Sequence, residues 1–320
     1  MRIKILYFTN KGKALSEKLK GNLSGHDAVI VPKGAPLAIV CGDAFVDNEA
    51  LVFIGATGIA VRAVAPLVRD KLKDPPVIVI DENGSFVIPL LSGHVGGANS
   101  LALEIAEAIE AQPVITTATD VSGAFSVDVF AKENDLKIAN RDGIARVSSS
   151  ALEGKPVTIC IKDYPPEGPV DVLITDEEAA KVLKDSAKIV LCPKRYAIGM
   201  GCRRGKSFDE LRAFAEEVLR ENGIDINDAG CIATIDVKKD EEGLKRLSQT
   251  WRMPMITFEA SLMAKAEGDF SHSDTVLEKV GVDNVCERAA VLAAGRGSRI
   301  RVKKTARDGM TIAVAERKTL

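Results

Sequence analysis

Two short runs constrain the fold more than anything else in the chain. Ala50-Leu51-Val52-Phe53-Ile54 is wholly apolar and stops at Gly55, and Val77-Ile78-Val79-Ile80 is wholly apolar and stops at Asp81. A strand with one wet face alternates apolar and polar residues. These runs do not, so each predicts a strand covered on both faces, as parallel sheets require. Residues 3–8 read as a further strand and 14–23 as a helix. Asn83-Gly84 marks a tight hairpin turn into a strand over 86–91, where Pro89 points to a sheet edge or an early strand end. Over 100–111 the acids Glu104, Glu107 and Glu110 recur every third residue, leaving Leu101, Ile105, Ala106 and Ile109 to face a sheet as an amphipathic covering helix. Residues 113–116 supply the next strand.

Beyond residue 130 the pattern changes. Three strand-like runs, 157–161, 170–174 and 189–192, are broken by Pro165-Pro166 and Gly168-Pro169, which predicts a small middle unit. A strand over 195–198 then runs into Gly199-Met200-Gly201. Ser207 and Glu210 stand at capping-box spacing and start a helix that reaches about Arg220. Strands at 231–235, 255–258 and 310–314 alternate with helices at 243–250 and 285–294. The expected fold is α/β throughout: an N-terminal parallel-sheet domain over 1–130, a small middle α/β domain over 131–193 and a C-terminal α/β domain over 194–320. A chain of 320 residues exceeds what one core usually organises, which agrees with several domains.

Composition excludes several function classes. Forty-three Lys and Arg against forty-five Asp and Glu leave a net charge of −2, so no global positive field attracts nucleic acid. Aromatics make up only 4%, with Trp251 the single tryptophan, too few for base-stacking surfaces. No apolar run approaches the ~18 residues of a membrane span, and the charged first residues do not make a signal peptide, so a cytoplasmic location is expected. The cysteines at 41, 160, 192, 202, 231 and 286 include no C-x-x-C pair, and histidines stand only at 26, 94 and 272. Zinc knuckles, redox dithiols, disulfide scaffolds and polyhistidine metal centres are all disfavoured.

In an open parallel sheet, ligands bind beyond the carboxyl ends of the strands, and that rule gathers three segments here. Gly55-Ala56-Thr57-Gly58-Ile59-Ala60-Val61-Arg62 leads from a strand into a helix; its glycines permit a tight turn, the helix start offers free N–H groups and Arg62 adds a charge. It serves anion binding or plain turn packing equally well. Ser92-Gly93-His94-Val95-Gly96-Gly97-Ala98-Asn99 packs three glycines into eight residues, an entropic cost that close approach to a ligand or to other backbone would explain. His94 titrates near neutrality and can act as acid or base. Thr116-Thr117-Ala118-Thr119-Asp120 offers hydroxyls and a carboxylate at the same expected sheet edge, where Asp120 could orient His94 or simply cap a helix. Farther on, Gly199-Met200-Gly201-Cys202-Arg203-Arg204-Gly205-Lys206 carries three cations suited to phosphate or carboxylate. It is not a P-loop, because that motif's first glycine would fall at Met200. Cys286 and Glu287 near a helix start read as a reactive pair or as a buried thiol and a first-turn acid.

Taken together, the segments 55–62, Leu90-Leu91 with 92–99, and Val114-Ile115 with 116–120 resemble the amino-terminal region of the CbiG proteins, the cobalt-precorrin-5A hydrolases of the anaerobic route to cobalamin. Ile198 with 199–205, Ile235-Asp236-Val237-Lys238 followed by Glu241, and Gly281-Val282-Asp283-Asn284-Val285-Cys286-Glu287-Arg288-Ala289-Ala290 resemble the carboxyl-terminal region. The resemblance implies a small-molecule substrate, cobalt-precorrin-5A, whose δ-lactone is opened by water with loss of acetaldehyde to give cobalt-precorrin-5B. It implies no cofactor and no protein-bound metal, since cobalt arrives within the substrate; a homodimer or contact with other pathway enzymes is left open. His94 and Asp120 become the expected catalytic residues, with His94 as base. The expected substrate-binding set is Gly55, Thr57, Gly58, Arg62, Ser92, Gly93, Gly96, Gly97, Asn99, Thr117, Thr119, Gly199, Gly201, Arg203, Arg204, Lys206 and Glu287, the cations facing substrate carboxylates and the loop N–H groups facing the oxyanion.

Two other classes stay in view. A non-catalytic corrinoid-binding protein would show the same binding segments. A nucleotide-dependent oxidoreductase is disfavoured because neither glycine turn completes G-x-G-x-x-G.

Overall fold

Both wholly apolar runs are strands with the expected ends in the computed structural model of the chain, which describes residues 1–161, 168 and 170–318. Pro165, Pro166 and Pro169, read above as strand breakers, lie outside the described residues. The first sheet contains β1 (Arg2–Tyr7), β2 (Asp27–Ile30), β3 (Ala50–Ile54), β4 (Val77–Ile80), β5 (Phe86–Leu91) and β6 (Gln112–Pro113), in the order β2-β1-β3-β4-β5-β6. Around it lie α1 (Asn10–Asn22), α2 (Leu37–Asp47), α3 (Thr57–Val64) and α4 (Ala98–Ile109), followed by the short helices α5 (Ala118–Ser122) and α6 (Val127–Glu133).

The two-residue period of a strand divides the apolar runs between two cores. Val52, Ile54, Ile78 and Ile80 join Leu101, Ala102 and Ile105 of α4 on one face. Leu51, Phe53, Val77 and Val79 join Cys41, Ala44, Ala60 and Val64 of α2 and α3 on the other. Burying both faces is what demanded apolar residues at every position.

Strands β1 to β4 run parallel, but β5 turns back antiparallel to β4 through the Asn83-Gly84 turn, where Gly84 has φ +71°. β6 runs parallel to β5, and its ladder is two residues long rather than the four expected over 113–116. Val114 N–H still donates to Val87 O at 2.9 Å. The next rung needs an N–H from residue 89, which is proline, so pairing stops. Because β5 is reversed, Leu91 pairs with Val77 at the beginning of β4. The β5–α4 loop therefore lies at the opposite sheet edge from Gly55, which follows the end of β3. The expectation that one edge gathers all three segments is corrected by the direction of a single strand.

The second sheet contains β7 (Leu136–Ile138), β8 (Ile159–Ile161), β9 (Val170–Ile174) and β10 (Ala187–Pro193), in the order β7-β10-β9-β8; in the chain α7 (Asp142–Leu152) follows β7 and α8 (Glu177–Leu183) follows β9. The third contains β11 (Tyr196–Cys202), β12 (Ala229–Ile235), β13 (Met255–Phe258), β14 (Arg299–Arg307) and β15 (Met310–Glu316), in the order β13-β12-β11-β15-β14. Its helices are α9 (Phe208–Glu221), α10 (Glu242–Thr250), α11 (Ala260–Met263), α12 (Asp274–Val280) and α13 (Cys286–Ala294). The Ser207–Glu210 capping box starts α9 as expected.

Each sheet draws its strands from one of the segments 1–130, 131–193 and 194–320. By packing, the chain forms two compact units, one of Met1–Lys132 with Ile144–Val157 and one of Glu133–Gly143 with Thr158–Leu320. Within the latter, Lys137 of β7 pairs with Asp228 and Glu177, and Arg195 bridges Glu177 at 3.3 Å and Glu316 at 2.6 Å, which ties the second sheet to the third. No helix of the described residues is long and apolar enough to cross a membrane.

Candidate active site and candidate ligand pocket

The glycine-rich loop after β5 is shaped first by its own packing. Ser92 takes φ +60°, and its hydroxyl donates to the carbonyl of Asp74 at 2.7 Å. A Cβ on Gly96 would lie 2.3 Å from Ser92 Cβ, and one on Gly93 would lie 2.7 Å from Asn99 Oδ1. Gly97, at φ +87° with open space about it, supplies the left-handed turn into α4. Ser92 O accepts from Ala98 N–H and Gly93 O from Asn99 N–H, so the loop is stapled to the start of the helix.

That loop presents His94 to the segment after β6. His94 Nε2 lies 2.7 Å from Asp120 Oδ2 and 2.9 Å from Thr119 Oγ1. Asn99 Nδ2 donates to the same Asp120 oxygen at 2.7 Å and to Thr117 Oγ1 at 3.1 Å, while its own Oδ1 is buried without a hydrogen-bond partner among the described residues. On the far side of the ring, Nδ1 lies 3.6 Å from Asp128 Oδ2 and 3.5 Å from Ser126 Oγ, and Ser126 donates to Asp128 Oδ1 at 2.6 Å. The ring thus sits between two carboxylates, one on each nitrogen.

Their surroundings differ. The side chain of Asp128 is 6% exposed, that of His94 17% and that of Asp120 40%. Asp128, then Asp120, raise the His94 pKa above its ordinary 6.5 against the opposing effect of burial. Asp128 acts more strongly although Asp120 is nearer, because water screens it less. Burial pushes Asp128 upward, but the hydrogen bonds from His94 and Ser126 win and hold it at about 2. A buried anion, an imidazolium favoured by folding and a partly exposed carboxylate stand in a row. Such a row favours the protonated form of His94 and leaves Asp120 as the carboxylate water can reach.

Sequence reasoning found His94, Asp120, Asn99, Thr117 and Thr119, and the structure brings these five together. It missed Ser126 and Asp128. The only signal was an acid at the start of a short helix, which reads equally as a first-turn carboxylate. Gly55, Thr57, Gly58 and Arg62 stand at the other sheet edge. Gly55 is glycine because the Phe8 ring would lie 2.8 Å from a Cβ there, and Arg62 is exposed with its guanidinium back over Gly58.

In the unit formed by residues 133–143 and 158–320, a pocket of about 810 Å³ opens at the carboxyl ends of β11 and β12 beside the β14–β15 turn. Arg203 and Arg204 line it, as do Lys238 and, not singled out from the sequence, Lys304 and Arg307. Lys206 does not line it; its ammonium pairs with Glu210 at 2.6 Å in the first turn of α9. Gly199 and Gly201 are inside β11 rather than in a loop beyond it. A Cβ on Gly199 would meet Cys286 O at 1.8 Å and one on Gly201 would meet Thr311 Oγ1 at 2.7 Å, so Gly199 admits α13 against the strand; Gly201 also lines the pocket. Glu287 is fully buried and accepts from Ser271 N at 2.6 Å, Lys304 N at 2.7 Å and Asn284 Nδ2 at 2.8 Å. It ties α13 to β14 and has no face toward a ligand in that role. Burial pushes the Cys286 thiol up to about 11, which leaves it unreactive. Among the described residues no group of three His, Cys, Asp or Glu side chains is placed to hold a metal ion.

The fold is α/β, with a polar row around His94 and a pocket lined by cations. Residues 40–120 match the amino-terminal model of one family, Cobalamin synthesis G N-terminal, and residues 196–315 match its Cobalamin synthesis G C-terminus. The chain is 34% identical over 300 residues to the cobalt-precorrin-5A hydrolase of Priestia megaterium, covering 85% of this chain and 79% of that one. It is 35% identical over 298 residues to the cobalt-precorrin-5A hydrolase of Salmonella typhimurium, covering 87% and 83%. To the probable cobalt-precorrin-5A hydrolase of Methanocaldococcus jannaschii it is 30% identical over 328 residues, covering 98% and 99%. The chain belongs to the cobalamin synthesis G (CbiG) family, a hydrolase of cobalamin biosynthesis.

Proposed function

We propose that this chain hydrolyses the δ-lactone of cobalt-precorrin-5A and releases acetaldehyde, giving cobalt-precorrin-5B, with Asp120 and His94 as the reacting pair. The relatives' activity supports the substrate, and the observation that carries the chemistry is the row Asp128, His94, Asp120. Lactone opening moves two protons: attacking water loses one, and the departing alkoxide gains one; acetaldehyde then leaves as that hydroxyl gives up its proton, its C–O bond becomes C=O, and the C–C bond to the macrocycle breaks with the electron pair kept on the ring. Asp120, the exposed carboxylate, takes the first. His94, whose pKa is raised by the two acids, supplies the second. This assigns the roles the other way round from the sequence reading, where His94 was the base, because the two flanking carboxylates favour the protonated ring. Asn99 and Thr117 hold Asp120 in place. Cobalt belongs to the substrate in this reading, and no cofactor of the protein's own takes part.

The test is anaerobic single-turnover release of acetaldehyde from cobalt-precorrin-5A at saturating enzyme. Asp120→Asn and His94→Ala should each slow it by about 10²–10⁴-fold while the fold is retained. A chain that binds the substrate and releases no acetaldehyde would be a corrinoid carrier, and near-wild-type rates in both variants would remove the pair from the reaction.

A further inference from the structure

We infer that the pocket at the ends of β11 and β12 binds an apolar ring bearing several peripheral carboxylates, a tetrapyrrole-derived polycarboxylate; the choice of ligand class rests on the reading above. Two kinds of surface meet there. Ile235, Val276, Val280, Val285 and Met310 give an apolar lining, and a volume near 810 Å³ falls within the roughly 300–1,000 Å³ of small-molecule sites. Around that lining stand five cations and a single acid, Asp308.

The cations are not equivalent. Lys238 is neutralised by Glu241 at 2.8 Å and Arg307 by Glu217 at 2.9 Å. Arg203, Arg204 and Lys304 have no ion-pair partner among the described residues, although acids are plentiful elsewhere in the unit. Three unpaired cations converging on one apolar mouth make a place for anions attached to an apolar body. A free phosphate would have no use for the lining, and a neutral apolar ligand would have none for the cations.

Arg203 is also built into place. Its backbone N–H donates to Gly309 O at 2.8 Å, and its stem crosses the β14–β15 turn so closely that a Cβ on Gly309 would lie 2.7 Å from Arg203 Cδ. Asp308 and Gly309 both take positive φ, +48° and +77°, as a two-residue hairpin turn requires. The glycine therefore serves the turn and leaves room for the arginine that lies over it.

The experiment titrates the full chain with uroporphyrin III, an octacarboxylate tetrapyrrole, and follows porphyrin fluorescence at low and high salt, with mesoporphyrin, a dicarboxylate, as comparison. Uroporphyrin should bind more tightly than mesoporphyrin and weaken with salt. Arg203→Ala and Arg204→Ala should each weaken it by roughly 10-fold or more, the worth of a charge-assisted hydrogen bond, and Lys304→Ala should do the same. Val276→Ser should weaken both porphyrins, which separates use of the apolar lining from attraction to surface charge alone. No binding by the wild type, or equal binding by the wild type and all the cation variants, would overturn the inference. Asp120→Asn distinguishes it from the hydrolase reading: that variant should lose turnover and keep the porphyrin affinity unchanged.

Discussion

His94 is placed so that folding and proton binding favour each other. Its raised pKa means that the imidazolium is stabilised by the native state, and Asp128, held at about 2, is stabilised there as the anion. For His94 the stabilisation is fully present below the ordinary value of 6.5 and is lost as pH rises through the raised native value. For Asp128 it is present above the ordinary 3.8 and is lost as pH falls toward about 2. The pair therefore stabilises most between those two ordinary values. Urea unfolding of wild type and His94→Gln should show a larger stability difference at pH 5.5 than at pH 9, and an equal difference at both would mean that the ring is not charged in the native state. In turnover, Asp128→Asn should move the alkaline limb of the rate profile to lower pH, because it removes the largest cause of the raised pKa. An unmoved limb would assign that limb to another group.

At the scale of elements, the glycines explain what was legible and what was not. Strands β3, β4, β5, β9 and β13 have the expected bounds; for β3 and β4 the reason is that burial on both faces leaves a continuous apolar signal in the sequence. β14, with the sequence Arg299 to Arg307, was not legible. It is an edge strand whose mostly exposed side chains are basic or small, so little apolar pattern survives. α2 was missed for the converse reason, since an excess of apolar residues hides its period. A glycine reports only that a side chain is absent; whether ligand or protein occupies the space is not written in the sequence. At Gly199 the occupant is the backbone of α13, so Gly199→Ala should destabilise the chain by on the order of 1–3 kcal/mol, as overpacking does. Gly21, in the last turn of α1, has open space about it, and Gly21→Ala should stabilise by about 0.4–1 kcal/mol. Thermal and urea unfolding of the two variants should give shifts of opposite sign.

At the scale of the molecule, one reversed strand decides which residues can cooperate. The rule of carboxyl ends placed Gly55, His94 and Asp120 together. Asn83-Gly84 announced the hairpin that separates them, since a strand entering by a tight turn runs antiparallel and ends where its neighbour began. With β4 four residues long, the two edges of the sheet are roughly 13 Å apart at about 3.3 Å per residue. Arg62 and Thr57 stand at one edge, and the row of Asp128, His94 and Asp120 at the other. If lactone opening takes place in that row, a side chain across the sheet has no means of stabilising the charge that develops there. Arg62→Ala and Thr57→Ala should then leave single-turnover acetaldehyde release within about twofold of wild type, as surface changes away from a reacting centre do. Asn99→Ala should slow it by tenfold or more, because it removes a hydrogen bond to Asp120 that costs about 1.5–3 kcal/mol to lose. The contrast between the edges is the decisive quantity. A loss in Arg62→Ala as large as that in Asn99→Ala would place the reacting lactone at the carboxyl ends of β1 and β3 and return His94 to a role in holding its loop together.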